Sequence, residues 1–377
     1  MLENANKPIY VTMPSLAPLE EYKQWLEKAW DSGILTHNGP LVQRLEKELM
    51  AYLGVENLVV VTSGTIALQL AIKALRLKGE IITTPFTWIA TVSAIQWENC
   101  TPVFVDIDPE TFNIDPGKIE DAITHRTCAI MPVHVFGNPC EVGKIEEIAR
   151  CHHLKVIYDA AHAMCVDYKG KSILEYGDIS ATSFHATKIF NTGEGGGCVT
   201  GDKDIFERLR RLRFFGHNDA KDVVDEGFNG KMTEVHAALG LANLAIQNEV
   251  LEKRRAIFEQ YFENLKDVDS IRFQKFDKEA YNYSYLPVVL SSEEEVLEVI
   301  SRLSKNNIFP RRYFYPSLNT LKAVAPYTPM PLSENLARRI LCLPSHSRLI
   351  PENVDLICQL IIRKKQMPPL YTQKNRK

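Results

Sequence analysis

Short apolar runs alternate with amphipathic helical patterns along the middle of the chain. Several of these runs are apolar on both faces, as strands must be when helices cover both sides of a sheet. The seven runs fall at residues 58–63, 80–87, 101–108, 128–136, 155–161, 181–186 and 197–202. The helical patterns between them include residues 65–77, 88–98 and 141–152. This alternation predicts an α/β fold with a mostly parallel sheet.

The pattern changes in the last third of the chain, which indicates a second structural unit. Residues 232–265 read as one long helix, and a single apolar run and two further helical patterns follow it. A chain of 377 residues is long enough for about two to three domains. We therefore predict a large domain over residues 1–248 and a smaller C-terminal α+β domain over residues 249–377.

Composition and charge narrow the class of protein. Hydrophobic residues make up 45% and charged residues 24% of the chain, which excludes a disordered tail, a collagen and a coiled-coil rod. The net charge of -3 leaves no basic excess for coating a phosphate backbone, so we expect no nucleic-acid partner. The eight cysteines form no Cys-x-x-Cys pair, and no apolar leader or run of membrane-spanning length occurs. We expect a cytoplasmic protein without membrane association.

Parallel sheets bind ligands beyond the carboxyl ends of their strands, so polar residues at those ends are the first site candidates. Ser63, Gly64 and Thr65 lie between an apolar run and an amphipathic helix. Free N–H groups at a helix start, together with hydroxyls, form an anion site for which phosphate is the usual occupant. Taken alone, the segment is more typical of an ordinary N-cap, since Ser and Thr cap many helices.

Asp159 lies at the end of a second apolar run, and His162 follows three residues later. An acid at the end of a buried strand has a desolvation cost unless a cation meets it. A protonated pyridine nitrogen would be such a cation, and the ion pair would keep both groups charged. A carboxylate that caps the next turn explains this segment equally well.

Lys188 follows the run at residues 181–186 and precedes a glycine cluster at residues 193–197. A lysine whose amine pKa is lowered by apolar surroundings forms a Schiff base with an aldehyde. The glycines permit tight backbone beside a ligand. The alternative, an exposed lysine beside a flexible loop, is the commoner situation for any single lysine. The order of lysine and glycines excludes a P-loop.

These segments point to one cofactor when they are taken together. If Trp88 stacks on a planar ring, each part of pyridoxal phosphate has a partner: its phosphate, ring face, ring nitrogen and aldehyde. The chain resembles the DegT/DnrJ/EryC1/StrS sugar aminotransferases along nearly its whole length, through the motifs GPLVQRLEKEL, VTSGTIAL, PFTWIAT, VHVFGNPC, DAAHA, SFHATKIFNTGEGG, GFNGKMTEVHAALG and RRYFYP. The resemblance implies the aspartate aminotransferase-like fold (fold type I of pyridoxal-phosphate enzymes), with a mostly parallel seven-stranded sheet in the large domain.

The resemblance also assigns roles to individual residues. Lys188 would form the Schiff base, Asp159 would bind the pyridinium nitrogen, and His162 would lie near the cofactor's 3-oxygen, where many members have Gln. The phosphate and ring contacts would come from Ser63, Gly64, Thr65, Ser183, Trp88 and, on the neighbouring subunit, Asn229. A homodimer with shared active sites is therefore expected.

The reaction that the resemblance implies is a transamination. Glutamate would donate its amino group to a dTDP-linked 4-keto-6-deoxy sugar, with Lys188 moving the proton. Members that act at the 4-keto position tend to have SFHATK followed by EGG, as this chain does, so we expect amination at carbon 4 of dTDP-4-keto-6-deoxyglucose. His185 would then lie beside the amine and the reacting carbon. Alternatively, His185 only packs the turn, and anchoring of the nucleotide sets the regiochemistry.

Three alternatives remain open on the same fold. A 3-keto sugar aminotransferase would tend to have SFYPTK and a Gly-Asp-Gly-Gly run. A pyridoxal-phosphate sugar dehydratase would have His at the lysine position, so the intact Lys188 favours transamination. A non-catalytic regulator that senses the cofactor or the sugar would need an output module, and we find no helix-turn-helix or basic DNA-reading segment.

Five residues are weaker candidates for substrate binding. Arg312, Tyr313 and Tyr315 in RRYFYP would suit an anionic, aromatic-bearing ligand such as a nucleotide diphosphate. Arg254 and Arg255 are candidates for the same diphosphate, although a solvated helix face explains them equally well.

Two further segments have a bearing on the site. Met164 and Cys165 stand where other members have an aromatic residue and Gly, and we expect altered packing beside the cofactor. Cys151, His152 and His153 are metal-ligand types, but adjacent helix residues point in different directions, so no metal is expected.

Overall fold

The computed structural model describes residues 7–362, and its strands follow the apolar runs of the sequence. Within this range, the strands are β1 (Ile9–Tyr10), β2 (Leu58–Val61), β3 (Glu80–Thr83), β4 (Thr101–Phe104), β5 (Thr127–Ile130), β6 (Lys155–Asp159), β7 (Asp167–Tyr168), β8 (Lys171–Ser172), β9 (Ile179–Ser183), β10 (Gly196–Val199), β11 (Arg272–Phe273), β12 (Leu286–Val289), β13 (Ile308–Phe309) and β14 (Ile340–Leu343). The α-helices are α1 (Leu19–Ser32), α2 (Pro40–Leu53), α3 (Gly64–Ala74), α4 (Ile89–Trp97), α5 (Val142–Cys151), α6 (Lys203–Leu212), α7 (Glu234–Leu244), α8 (Gln247–Leu265), α9 (Glu293–Ser304), α10 (Pro331–Arg339) and α11 (Pro351–Ile362).

The central sheet has seven strands in the order β2-β10-β9-β6-β5-β3-β4, which confirms the predicted α/β fold. Neighbouring strands are parallel except at β10, which runs antiparallel to both β2 and β9. Successive residues of a strand point to opposite faces, so Val59 and Ile81 join one hydrophobic core while Val60 and Ile82 join another. Both faces of the central strands are buried, which is why a strand such as β2 is apolar at every position.

Pairing between β6 and β9 brings distant parts of the chain to one edge of the sheet. Asp159, the last residue of β6, is the register partner of Ala181 in β9. The chain then leaves β9 at Ser183, passes through a loop that contains Lys188, and returns as β10, where Gly196 pairs with Ser183. Asp159 and the loop that carries Lys188 therefore lie at the same end of the sheet.

The C-terminal part has its own antiparallel sheet of three strands in the order β11-β12-β14. A separate core forms between this sheet and α8, α9 and α11, with Tyr261, Leu303 and Ile357 fully buried. This composition agrees with the predicted α+β class. The boundary after residue 248 falls in the first turn of α8, and a division into domains at that point stays a prediction.

Residues 232–265 do not form one helix, which corrects the prediction from sequence. The helical path breaks between α7 and α8, where Ile246 has φ −104° and ψ 5°. Asn243, in the last turn of α7, is buried; its side-chain amide donates to the carbonyl of Asn191, and its oxygen accepts from the amide of Ala17. These contacts join the end of α7 to segments that are distant in sequence. The break is therefore not marked by a Gly or Pro between α7 and α8, and the sequence pattern does not reveal it.

Two features that were not expected from the sequence are also absent from residues 7–362. None of the helices in this range is long and apolar enough to cross a membrane. In the same range, His, Cys, Asp and Glu side chains do not come together in a group of three or more that would hold a metal ion.

Candidate active site

Most of the predicted site residues line one cavity of about 260 Å³ at the carboxyl ends of the parallel strands. They are contributed by the segments after β2, β3, β6 and β9 and by one segment of the C-terminal part. The predicted residues in the cavity wall are Ser63, Gly64, Thr65, Trp88, Asp159, His162, Ser183, His185, Lys188 and Tyr313.

The start of α3 forms one end of this cavity. Ser63 caps the helix, because its hydroxyl accepts a hydrogen bond from the amide of Ile66 at 3.2 Å. The amides of Gly64 and Thr65, like all amides in a first helical turn, have no acceptor within the helix. A Cβ atom on Gly64 would lie only 2.8 Å from the Cβ of Ser183, so glycine is required for this close approach. Two free amides beside hydroxyls suit the oxygens of a phosphate.

Asp159 is buried at the end of β6, with each carboxylate oxygen hydrogen-bonded. Oδ2 accepts from the hydroxyl of Thr91 at 2.7 Å, and Oδ1 accepts from the amide of Ala161 at 3.1 Å. Burial raises the pKa of Asp159, while these two hydrogen bonds and the positive charge of Lys188 act in the opposite direction. The carboxylate is thus placed to bind a cationic N–H group, which would restore the charged form.

Lys188 extends from the loop after β9 into the same cavity. Its ammonium lies 6.0 Å from the ring centre of Tyr285. The side chain is accessible from the cavity but shielded from bulk water, and this burial lowers the pKa of the amine to about 8, against the attraction of Asp159. An amine with this pKa has a much larger unprotonated fraction near neutral pH than an exposed lysine, as attack on an aldehyde requires.

His162 is buried, and its ring is held in one protonation state. Burial and the charge of Lys188 keep the pKa of His162 well below its usual range, so the ring is neutral. The amide of Phe136 donates to Nδ1 at 3.3 Å, which assigns the single ring proton to Nε2. The ring lies nearly parallel to those of Phe136 and Phe314, at centroid distances of 6.1 and 5.9 Å. His162 therefore offers the cavity one hydrogen-bond donor that does not titrate near neutral pH.

His185 lies in the cavity wall three residues before Lys188. Its Nδ1 is 2.8 Å from the hydroxyl of Thr187 and accepts from the amide of Thr187 at 3.2 Å. Its Nε2 lies 3.7 Å from a carboxylate oxygen of Glu194, which also lines the cavity. The pair adds an imidazole and a carboxylate to the wall of the cavity that also contains Lys188.

The segment RRYFYP presents a different arginine to the cavity than the one proposed from sequence. Arg311 lines the wall, with its guanidinium 4.5 Å from the ring centre of Tyr313 and 5.4 Å from that of Trp88. Within residues 7–362, no acidic side chain forms an ion pair with it. Arg312 and Tyr315 are outside the wall of this cavity, and their expected contact with a nucleotide diphosphate stays a prediction. Neither the spacing nor the composition of the segment distinguishes the two arginines.

Arg312 has partners of its own on the outside of the molecule. It pairs with Glu293 at 2.6 Å, donates to the carbonyl of Arg338 at 3.0 Å, and lies over the ring of Tyr315 at 3.4 Å. These contacts occupy the guanidinium and hold it away from the cavity.

Other expected residues are also absent from the cavity wall. Arg254 is buried and donates to backbone carbonyls, whereas Arg255 is exposed and pairs with Glu259. Of the two, only Arg255 lies on a solvated helix face. Met164 is part of a hydrophobic core and Cys165 packs against it, outside the cavity wall, and the expected change in packing beside the cofactor stays a prediction.

Asn229 is exposed and lies outside the cavity of its own chain. Its side-chain oxygen accepts a hydrogen bond from the ammonium of Lys231 at 2.6 Å. The single chain therefore leaves this side chain facing outward, and its role in a neighbouring subunit stays a prediction.

The donor set at the cavity fits pyridoxal phosphate part by part. The helix start offers amides and hydroxyls to a phosphate, Asp159 offers a buried carboxylate to a pyridinium N–H, and Lys188 offers a primary amine of lowered pKa to an aldehyde. The close approach of Gly64 to Ser183 shapes the phosphate end, which a larger side chain would fill. Fold and cavity together define a pyridoxal-phosphate-dependent enzyme of fold type I.

Comparison with known proteins assigns the family. The model of the DegT/DnrJ/EryC1/StrS aminotransferase family matches residues 18–362, and the chain belongs to this family. It is an aminotransferase with pyridoxal phosphate as its cofactor, as the sequence predicts, and solved relatives include forms with bound pyridoxamine phosphate.

Individual relatives match along nearly their whole length. The chain is 44% identical over 361 residues to the dTDP-4-amino-4,6-dideoxy-D-glucose transaminase of Shigella dysenteriae, covering 94% of this chain and 98% of the relative. It is 40% identical to the Escherichia coli protein of the same name, covering 95% and 99%. Among solved structures, DesI in the presence of its TDP-sugar product has a TM-score of 0.89 at 34% identity, covering 94% of this chain and 92% of that one.

The charge of Asp159 is predicted to set the reactivity of Lys188. In the cofactor-free protein, Asp159→Asn removes the negative charge that opposes desolvation, so the pKa of Lys188 should fall below about 8. The measurement is the pH dependence of amine acylation at Lys188, followed by peptide mass spectrometry, with the exposed Lys253 as internal control. An unchanged or higher midpoint at Lys188 would contradict the electrostatic coupling.

Proposed function

We propose that this protein transfers the amino group of glutamate to carbon 4 of dTDP-4-keto-6-deoxyglucose and forms dTDP-4-amino-4,6-dideoxyglucose. The observation that carries the proposal is the placement of Lys188 and Asp159 in one cavity beside the start of α3. The names of the relatives from Shigella and E. coli support the sugar and its carbon 4.

The cofactor would be held at four points. Ser63, Gly64, Thr65 and Ser183 would bind its phosphate, Trp88 would cover its ring, and the Asp159 carboxylate would accept a hydrogen bond from its protonated ring nitrogen. The Nε2–H of His162 would donate to the 3-oxygen. When bound, pyridoxal phosphate supplies an aldehyde for amino-group exchange and a ring that withdraws electrons.

Lys188 would act as the acid–base group of the reaction. Its Nζ alternates between protonated and free forms close to neutral pH, because burial lowers its pKa to about 8. Nζ would accept a proton from the carbon that loses it and return that proton to the carbon that gains it. The enclosing walls, including Tyr285 and Phe314, limit the access of water to this transfer.

Recognition of the substrate would involve the outer part of the cavity. Arg311 lines the wall, pairs with no acidic side chain within residues 7–362, and would bind the negative charge of the nucleotide diphosphate, with Tyr313 beside it. His185 and Glu194 would meet the sugar near its reacting carbon and favour carbon 4. In the alternative, His185 only packs the turn. Anchoring of the nucleotide, which we place at Arg311, would then set the regiochemistry.

Glutamate as donor and the homodimer are further parts of this proposal. Asn229 points outward from its own chain, on a segment flanked by glycines, and would reach the cofactor phosphate of a second copy. Each dimer would then contain two composite sites, as a two-fold symmetric interface requires.

The product of the reaction tests the proposal directly. Purified protein with pyridoxal phosphate, 15N-labelled glutamate and dTDP-4-keto-6-deoxyglucose should release one 2-oxoglutarate for each aminated sugar. NMR of the product should show the labelled nitrogen on carbon 4, because His185 and Glu194, which line the same cavity as Lys188, would meet the sugar near that carbon. Nitrogen on carbon 3, or a reaction only with a 3-keto isomer, would reject the proposed regiochemistry.

The alternatives give different outcomes in the same experiment. Loss of a hydroxyl from the sugar without incorporation of nitrogen would identify a dehydratase. Tight binding of cofactor and sugar without any turnover would identify a regulator.

The two adjacent arginines should behave differently when each is replaced. Arg311→Gln should raise the KM for the nucleotide sugar by about 10- to 100-fold, since a charged hydrogen bond contributes roughly 1.5–3 kcal/mol. Arg312→Gln, the matched control, removes a partly exposed ion pair and should cost about 1 kcal/mol of stability or less. Steady-state kinetics and thermal melts check both variants. A larger KM effect for Arg312→Gln than for Arg311→Gln would overturn the placement of the anion site.

A shared site should be visible when two inactive variants are combined. In heterodimers of Lys188→Ala and Asn229→Ala chains, one site has both defects and the other has neither. Purified heterodimers should therefore recover about half of the wild-type activity per dimer. Two differently tagged chains, purified over both tags, make this measurement. Heterodimers no more active than the Asn229→Ala homodimer would show that each chain contains a complete site.

A further inference from the structure

Two threonines form a hydrogen-bonded chain that ends on Asp159. The hydroxyl of Thr91 donates to Oδ2 of Asp159 at 2.7 Å, and the hydroxyl oxygens of Thr87 and Thr91 are 2.8 Å apart. All three residues are buried, with Thr91 fully inaccessible. A carboxylate only accepts hydrogen bonds, and a hydroxyl has one proton to donate. Thr91 therefore gives its proton to Asp159, and Thr87 must donate to Thr91.

The direction of this chain increases its effect on the carboxylate. A hydroxyl that accepts one hydrogen bond becomes a better donor in the next, because the two bonds polarise each other. The second oxygen of Asp159 is held by the amide of Ala161. Among the described residues, Lys188 is the charged group that influences the pKa of this carboxyl. The other contacts to the carboxylate are neutral, so its ionisation depends on hydrogen bonds.

The same turn of chain also carries the residue predicted to cover the cofactor ring. Trp88 is the N-cap of α4, Thr87 precedes it, and Thr91 lies in the first helical turn, where its amide donates to the carbonyl of Trp88 at 3.2 Å. Thr87 and Trp88 line the cavity, whereas Thr91 does not. Thr91 can therefore act on a bound molecule only through its hydrogen-bond partners Asp159 and Thr87.

We propose that Thr91, oriented by Thr87, is a positioning residue that keeps the Asp159 carboxylate ionised and aimed at the cofactor's ring nitrogen. The inference rests on the proposed role of Asp159. It goes beyond that role because it names a residue outside the cavity, Thr91, as the one that stabilises the charged form of the carboxylate. The start of α4 then couples two cofactor contacts, the ring face at Trp88 and the ring nitrogen at Asp159.

The test compares Thr91→Val with Thr91→Ser and with Thr83→Val. Thr83 is a matched control, since it is equally buried and donates to the carbonyl of Met131 at 2.8 Å, on a strand that does not contact Asp159. Two readouts apply to each protein: the dissociation constant for pyridoxamine phosphate, by fluorescence titration of the cofactor-free protein, and the 15N chemical shift of the ring nitrogen in labelled cofactor.

Thr91→Val should weaken binding by about tenfold or more and move the nitrogen signal toward the unprotonated value. Thr91→Ser should restore both, because it keeps the hydroxyl, and Thr83→Val should change neither. Thr87→Val should shift both readouts in the same direction by less, and it tests the chain even if Thr91→Val does not fold. Binding and nitrogen signals in Thr91→Val and Thr87→Val that equal those of Thr83→Val would overturn the inference.

A further variant separates this inference from the proposed function. Asp159→Asn should lose the protonated nitrogen signal completely. If Asp159→Asn has this effect and the threonine variants have none, the role of Asp159 stands and the role of Thr91 is rejected. If Asp159→Asn leaves the signal unchanged, the proposed function of Asp159 is itself rejected, and the inference about Thr91 falls with it.

Discussion

The Asp159 carboxylate and the Lys188 amine line one enclosed cavity, and each changes the pKa of the other. Loss of water favours the neutral forms of both groups, whereas their mutual attraction favours the charged forms. The proposed chemistry depends on this balance, because a pyridinium needs a charged carboxylate and proton transfer needs an amine of moderate pKa. The parallel pairing of β6 with β9 maintains the balance, because it places the end of β6, which carries Asp159, beside the end of β9, where the loop that carries Lys188 begins.

The remaining groups divide the cavity into an inner and an outer part. In the inner part the hydrogen-bonding partners are neutral: the Thr91 hydroxyl holds Asp159, and the Phe136 amide fixes the proton of His162. No second ion competes there with the Lys188–Asp159 attraction among the described residues. In the outer part the charged side chains are Arg311 and Glu194, with the His185 ring 3.7 Å from Glu194. This separation suits a cofactor that needs a fixed electrostatic environment and a substrate that arrives with negative charge.

The sequence predicted the sheet and the inner residues because both depend on local signals. Apolar runs define strands, and a polar residue at the end of such a run marks the carboxyl edge where Asp159 and Lys188 lie. The outer residues depend on tertiary contacts instead. In an extended segment adjacent side chains point in opposite directions, so the backbone bridge between Arg311 and Cys342 determines which arginine faces the cavity. The break before α8 likewise depends on distant partners of Asn243. The sequence around Thr91 is that of an ordinary helix, and only the structure shows its contact with Asp159.

Reduction of the cofactor-loaded protein with borohydride tests the central pairing most directly. Borohydride makes the bond between the cofactor and its lysine permanent, and peptide mass spectrometry then locates the labelled residue. Because Lys188 and Asp159 line the same cavity, we expect one label per chain, on Lys188. The Lys188→Ala protein should carry no label but should still bind pyridoxamine phosphate. A label on a different lysine, or a cofactor released unbound after reduction, would contradict the account.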